Sequence, residues 1–90
     1  MWEARALPGR GGDLLEWARA QPLAAEPLRR ETFSAAQDRV LVLTWWEVPA
    51  DAPYDTAALP ELPDPATELV TRPVHRWRFR SHGVDRPLPR

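Results

Sequence analysis

The sequence predicts an α+β domain with four strands and one principal helix. Three observations carry that prediction. Residues 1–6 and 74–81 alternate apolar with polar side chains, residues 39–48 are apolar at almost every position, and Leu14, Leu15 and Ala18 recur at helical spacing. No segment repeats another, so the 90 residues form one domain, spanning 1–81, with 82–90 as a flexible tail.

Each element has its own local signal. In the first strand Trp2, Ala4 and Ala6 share one face, with Glu3 and Arg5 on the other. Pro8-Gly9-Arg10-Gly11-Gly12 breaks that pattern as a turn. Asp13 followed by Glu16 resembles a capping box and marks the helix start. Trp17 lies beside the apolar stripe, and Pro22 should kink the helix before a second piece from Leu23 to about Arg29. Glu31–Ala35 is a weak strand, and Gln37-Asp38 a hairpin turn. In the strand Arg39–Val48, Val40, Val42, Trp46 and Val48 alternate with Leu41, Leu43 and Trp45, which predicts burial on both faces. In the last strand His75, Trp77 and Phe79 form the expected buried face, opposite Arg76, Arg78 and Arg80. Between these strands, Pro49 to Arg72 carries five prolines and at most a short helix near 66–70. Such a connection is expected to lie over a pocket.

Composition narrows the function classes. A chain this short buries only roughly 60–65% of its unfolded surface, so a disulfide, metal or partner chain is the usual supplement. There is no Cys, and His75 and His82 fall on opposite faces of a continuous strand, so neither a disulfide nor a metal site is expected. A partner chain remains. The formal net charge of −1 recruits neither nucleic acid nor an anionic membrane. Residues 72–90 do hold six of the twelve Arg, against one acid, Asp85. Yet Arg76, Arg78 and Arg80 point away from Trp77 and Phe79, which opposes joint contact with one nucleic-acid strand. Glu3 is the expected cross-strand partner of one of these arginines. No stretch reaches the eighteen or so apolar residues of a membrane helix, and Met1–Arg5 lacks the apolar run of a signal peptide, so the cytoplasm is expected. Lys, Ile and Asn, whose codons are AT-rich, are absent, which suggests a GC-rich genome.

A strand apolar on both faces needs cover that one helix cannot supply. A second copy supplies it through an isologous two-fold contact, which predicts a homodimer. The order of elements, the Trp2-Glu3-Ala4-Arg5 strand, the Arg39–Trp46 strand and the closing Pro73–Phe79 strand resemble the dimeric α/β-barrel superfamily. Within it they are most similar to small bacterial proteins related to antibiotic biosynthesis monooxygenases. The likeness covers roughly residues 1–81 and rests on pattern. It implies a ferredoxin-like four-stranded antiparallel sheet, a homodimer, and a pocket between sheet and helix. Two departures stand out: the second helix is short or missing, and the Asn-Trp-His set of haem-degrading relatives cannot be carried over, since the chain has no Asn.

The candidate site follows from these readings. Five Trp serve packing or line a slot for an aromatic small molecule, with Trp2, Trp46 and Trp77 as its walls. If Trp45 and Trp46 point to opposite faces, one serves the dimer seam and the other the pocket. His75 is either a hydrogen-bonded core residue or a general base, its ordinary pKa lying near neutrality. Tyr54 is either a donor to a substrate carbonyl or an exposed loop residue, and Arg72 either holds an anionic group or is solvated or ion-paired, the second being favoured. Neither a dinucleotide-binding glycine pattern nor a nucleophile motif is present. Two functions compete: a cofactor-independent monooxygenase or related tailoring enzyme acting on an aromatic small molecule, with His75 as base, and a non-catalytic binding or interaction protein on the same dimeric scaffold. The resemblance tips the reading toward the first.

Overall fold

Among the described residues four antiparallel strands form one sheet with one helix across one face, an α+β arrangement compatible with a ferredoxin-like fold. The computed structural model describes residues 1–49, 51 and 59–85. Its elements are β1 (Trp2–Arg5), α1 (Gly11–Ala20), β2 (Arg29–Ala35), β3 (Arg39–Trp45) and β4 (His75–Arg76), in the sheet order β2-β3-β1-β4. Because β1 and β2 both run antiparallel to β3, they are parallel to each other with β3 between them.

The register assigns every strand residue to a face. Trp2 pairs with Val42 and Ala4 with Val40. Val42 and Val40 in turn face Thr32 and Ser34 of β2. This face receives α1: Trp2, Ala4, Ala6, Leu14, Ala18, Val40, Val42 and Leu62 make up the buried core. The opposite face carries Glu3, Leu41, Leu43, Trp45, Phe33 and His75, and no helix covers it among the described residues. Double-sided burial of β3 is therefore not met within one chain. Val40 and Val42 are buried, whereas Leu41, Leu43 and Trp45 are only half-buried.

Local chemistry moves several expected boundaries. Helix α1 starts at Gly11, with Arg10 at the N-cap and no side-chain cap. Asp13 sits in the first turn, where its charge favours the helix N-terminus, and pairs with Arg10 Nε at 2.6 Å. Gly11 is needed there, since a Cβ would lie 2.8 Å from Asp38 Oδ1 at the β2–β3 turn. The second helical piece does not form. Gln21 is already extended (φ −74°, ψ 122°), the conformation that a following proline favours. The exposed carbonyls are met by Arg30, whose Nη atoms donate to Ala18 and Gln21 O, both at 2.6 Å. Strand β2 consequently begins at Arg29 rather than Glu31.

The β2–β3 turn falls where expected, but at Gln37 (φ +64°) and Asp38 (φ +57°) the backbone is left-handed. Aspartate tolerates that region better than glutamine, and Asp38 also accepts from Gly9 N at 3.2 Å. Gln37→Gly is expected to stabilise the fold by about 0.5–1 kcal/mol, the relief of strain exceeding the entropy given to the unfolded chain. Urea denaturation checks this; an unchanged midpoint would mean the turn is unstrained.

The last strand departs most. Regular pairing with β1 is confined to His75 and Arg76, opposite Glu3 and Trp2, with a separate bridge between Val70 and Ala6. Between these two contacts β1 advances three residues (6 to 3) and its neighbour five (70 to 75), so two extra residues bulge out. Pro73, which has no N–H to donate, lies in the bulge. The register also inverts the expected faces. Arg76, opposite Trp2, is on the helix side and half-buried, while His75 is exposed and Trp77 and Phe79 are 43% and 69% exposed. Residues 61–64 explain the inversion: Leu62 O accepts from Arg76 at 2.7 Å, and Asp64 and Glu61 pair with Arg76 and Arg78.

Candidate functional site

Two features stand out. At the end of the sheet where β1 begins and β3 ends, a groove of about 660 Å³ opens between β3 and the connection 59–62, with Leu43 and Trp45 as well as Val42 and Trp46 along it. Trp2, Val42, Thr44, Trp46 and Leu62 contribute to its wall, and Glu61, Arg76 and Arg78 to its polar side. Its volume suits a drug-sized molecule. Trp2 is held by the sheet and stacks on Trp17 of α1, ring centroids 6.0 Å apart and planes at 25°. Trp46 follows β3 directly and lines the same groove. Both adjacent tryptophans line the groove, and Trp45 also lies on the strand opposite Arg29, whose guanidinium sits 5.1 Å from its ring centroid.

Two of the arginines at the groove, Arg76 and Arg78, face acids. Arg76 Nη2 lies 2.7 Å from Asp64 Oδ1, and Arg76 Nη1 and Arg78 Nη2 lie 3.5 and 3.4 Å from Glu61. Met1's α-amino group, bonded to Trp77 O, has its pKa lowered by burial; Glu61 opposes that shift and Arg78 adds to it.

On the open face the centre is Glu3. Its carboxylate is almost fully buried, and Arg72 Nη2 donates to both oxygens at 2.5 and 2.9 Å. The bulge before β4 makes this reach possible by turning Arg72 back over β1. His75 Nδ1 lies 3.9 Å from Glu3 Oε1, and the His75 ring meets Trp77 edge-to-face with centroids 5.2 Å apart.

The structure thus brings Trp2 and Trp46 together and separates them from His75, Trp77 and Arg72. Arg72 is engaged by Glu3 rather than turned to an anionic ligand. Glu3 does find an arginine, but from the bulge and not from β4, whose His75 stands opposite it. Tyr54 lies outside the described residues. Sequence reasoning missed Leu62, Glu61 and Asp64 as partners of the β4 arginines and Arg30 as the ligand of the helix end; no periodicity marks them. Among the described residues no cluster of His, Cys, Asp or Glu is suited to a metal ion, and no helix is long and apolar enough to cross a membrane. No family model, curated protein or solved structure matches the chain.

Proposed function

We propose that this chain is a non-catalytic small-molecule-binding protein on a ferredoxin-like scaffold, dimeric through its open sheet face. The carrying observation is that His75 is not among the residues that line the tryptophan groove. A base must come within hydrogen-bond reach of the proton it removes, directly or through one water. His75 pairs opposite Glu3 and contributes nothing to the groove wall that carries Trp2 and Trp46. The monooxygenase reading loses its base by this argument, while the aromatic lining that suggested a ligand is retained.

The ferredoxin-like reading is supported by the split β-α-β unit, with β3 between the parallel β1 and β2. Pairing with a second copy is supported by the apolar side chains left on the open face, with Phe33 at 39% and Trp77 at 43% exposure beside half-buried Leu41, Leu43 and Trp45. Apolar patches of this kind mark interaction surfaces, and a two-fold contact of the face with itself leaves no open edge for further growth.

Native mass spectrometry and light scattering test the assembly: two chains are expected, and Leu43→Arg should give one. A wild-type monomer at high concentration would refute the two-copy scaffold. Quenching of tryptophan fluorescence by an aromatic ligand tests the groove. His75→Ala should leave that quenching unchanged; loss of an oxygen-consuming turnover in this variant would reinstate the enzyme reading.

A further inference from the structure

We infer that the groove is a gap one strand wide in the sheet, and that its ligand is a short extended peptide bound as an added strand between β3 and residues 77–81. The inference rests on the groove being a binding site, as proposed above, and names the class of ligand it takes.

The gap follows from the register. Trp2 stands opposite Val42 in β3 and Arg76 in β4, so Met1 faces Leu43 and Trp77. Both neighbours run on past that point, β3 through Thr44 and Trp45 and the other segment through residues 78–81. Two strands with one between them lie about 9.5 Å apart, so the space in line with β1 has the width of a strand. Residues 42–49 and 78–81 both line the groove. Side chains from both faces of β3 take part, Val42, Thr44 and Trp46 from one and Leu43 and Trp45 from the other. A cavity resting on one face of a sheet would meet only one of those sets.

The backbone says what fits. Ala6 N donates to Asp38 O at 2.8 Å, and bonded pairs alternate along an antiparallel ladder, so Val40 and Val42 turn N–H and C=O towards β1. Thr44, two residues on, turns both groups the same way, and no backbone group among the described residues meets them there. Across the gap Trp77 exchanges bonds with Met1, its N–H donating to Met1 O at 2.9 Å. Phe79 stands two residues beyond, in the same phase. Backbone edges of this kind are met by an added strand, which donates and accepts on both sides. A flat aromatic molecule carries no such array of donors and acceptors.

Length and side chains are bounded as well. About four residues, at about 3.4 Å each, match the run 78–81. A residue of the added strand that points to the open face falls between Trp45 and Phe79, and Phe79 is 69% exposed. A large apolar side chain is expected there.

The experiment titrates the full chain with acetyl-Thr-Val-Phe-Thr-amide and with the same peptide N-methylated at its phenylalanine. Methylation keeps the side chains and removes one backbone donor. Tryptophan fluorescence gives the affinities, and 1H–15N spectra follow the backbone amides. The methylated peptide is expected to bind more weakly by about tenfold. In the complex of the unmodified peptide the Thr44 amide should shift and exchange more slowly with water, while that of Leu43, turned to β2, stays unmoved. Equal binding of the two peptides with an unmoved Thr44 amide would overturn strand addition and keep the groove as a site. Quenching by 2-acetylnaphthalene without binding of either peptide would overturn the peptide class and leave the small-molecule reading standing. Binding of none of the three would overturn the groove as a site, and this inference with it.

Discussion

Arg72→Ala is expected to cost about 3 kcal/mol of folding stability. The reason is what it leaves behind. The Glu3 side chain is only 9% exposed, and Arg72 Nη2 donates to both its oxygens. His75 Nδ1, at 3.9 Å, is too distant to replace that donor. Removing one partner of a buried ion pair strands the other, at about 3–5 kcal/mol, and the lower end applies because Arg72 is 28% exposed. For a domain whose total stability is about 5–10 kcal/mol, that loss lowers the midpoint of thermal unfolding by about 10–20 °C. Circular dichroism melting measures it directly. Replacing both partners, Glu3→Leu with Arg72→Leu, should restore most of the loss, since an apolar pair of similar volume need not repay two desolvation penalties. If the double variant is as unstable as the single one, Arg72 contributes by holding the bulge rather than by its charge.

That ion pair also shows where sequence reasoning stops. Alternation in β1 places Glu3 opposite Trp2 and Ala4, and the structure agrees. Alternation says which residues share a face; it does not say which face will be covered. In β3 the ambiguity is harmless, because both faces are apolar and the helix stripe of Leu14 and Ala18 must meet one of them. In β4 it is decisive. The set His75, Trp77 and Phe79 has the composition of a core face, yet pairing with Trp2 turns Arg76 to the helix side. The cover for those arginines comes from Leu62 O, Glu61 and Asp64, in a connection whose prolines give no periodic signal. The candidate site divides along the same line. Trp2 and Trp46 were legible as a pair because each keeps phase with the apolar set of its own strand. Alternation puts His75 on the face that the register inverts, and the bulge that commits Arg72 to Glu3 depends on a register no local pattern encodes.

Leu14→Ala should cost about 3 kcal/mol, and comparison with Leu43→Ala turns that loss into a measurement of what covers the sheet. Leu14 has no exposure and joins Ala4, Ala18, Val40 and Val42 in the core. With only one helix over this face among the described residues, little can move to fill the space a shorter side chain leaves, and such cavities cost about 2–5 kcal/mol. The loss should be the same at low and high protein concentration. Leu43 lies on the other face and is half-buried within one chain. In a monomer its truncation should cost less than that of Leu14, and equally at any protein concentration, since part of the area involved already meets water. Buried against a second copy, it should cost about as much as Leu14, with the cost growing as the protein is concentrated, because assembly and folding are then linked by mass action. Urea denaturation of both variants at two concentrations separates these cases. The two-copy scaffold requires the Leu43 loss, and not the Leu14 loss, to depend on concentration. A small and constant Leu43 loss would leave the open face wet and restrict the chain's binding surface to the tryptophan groove.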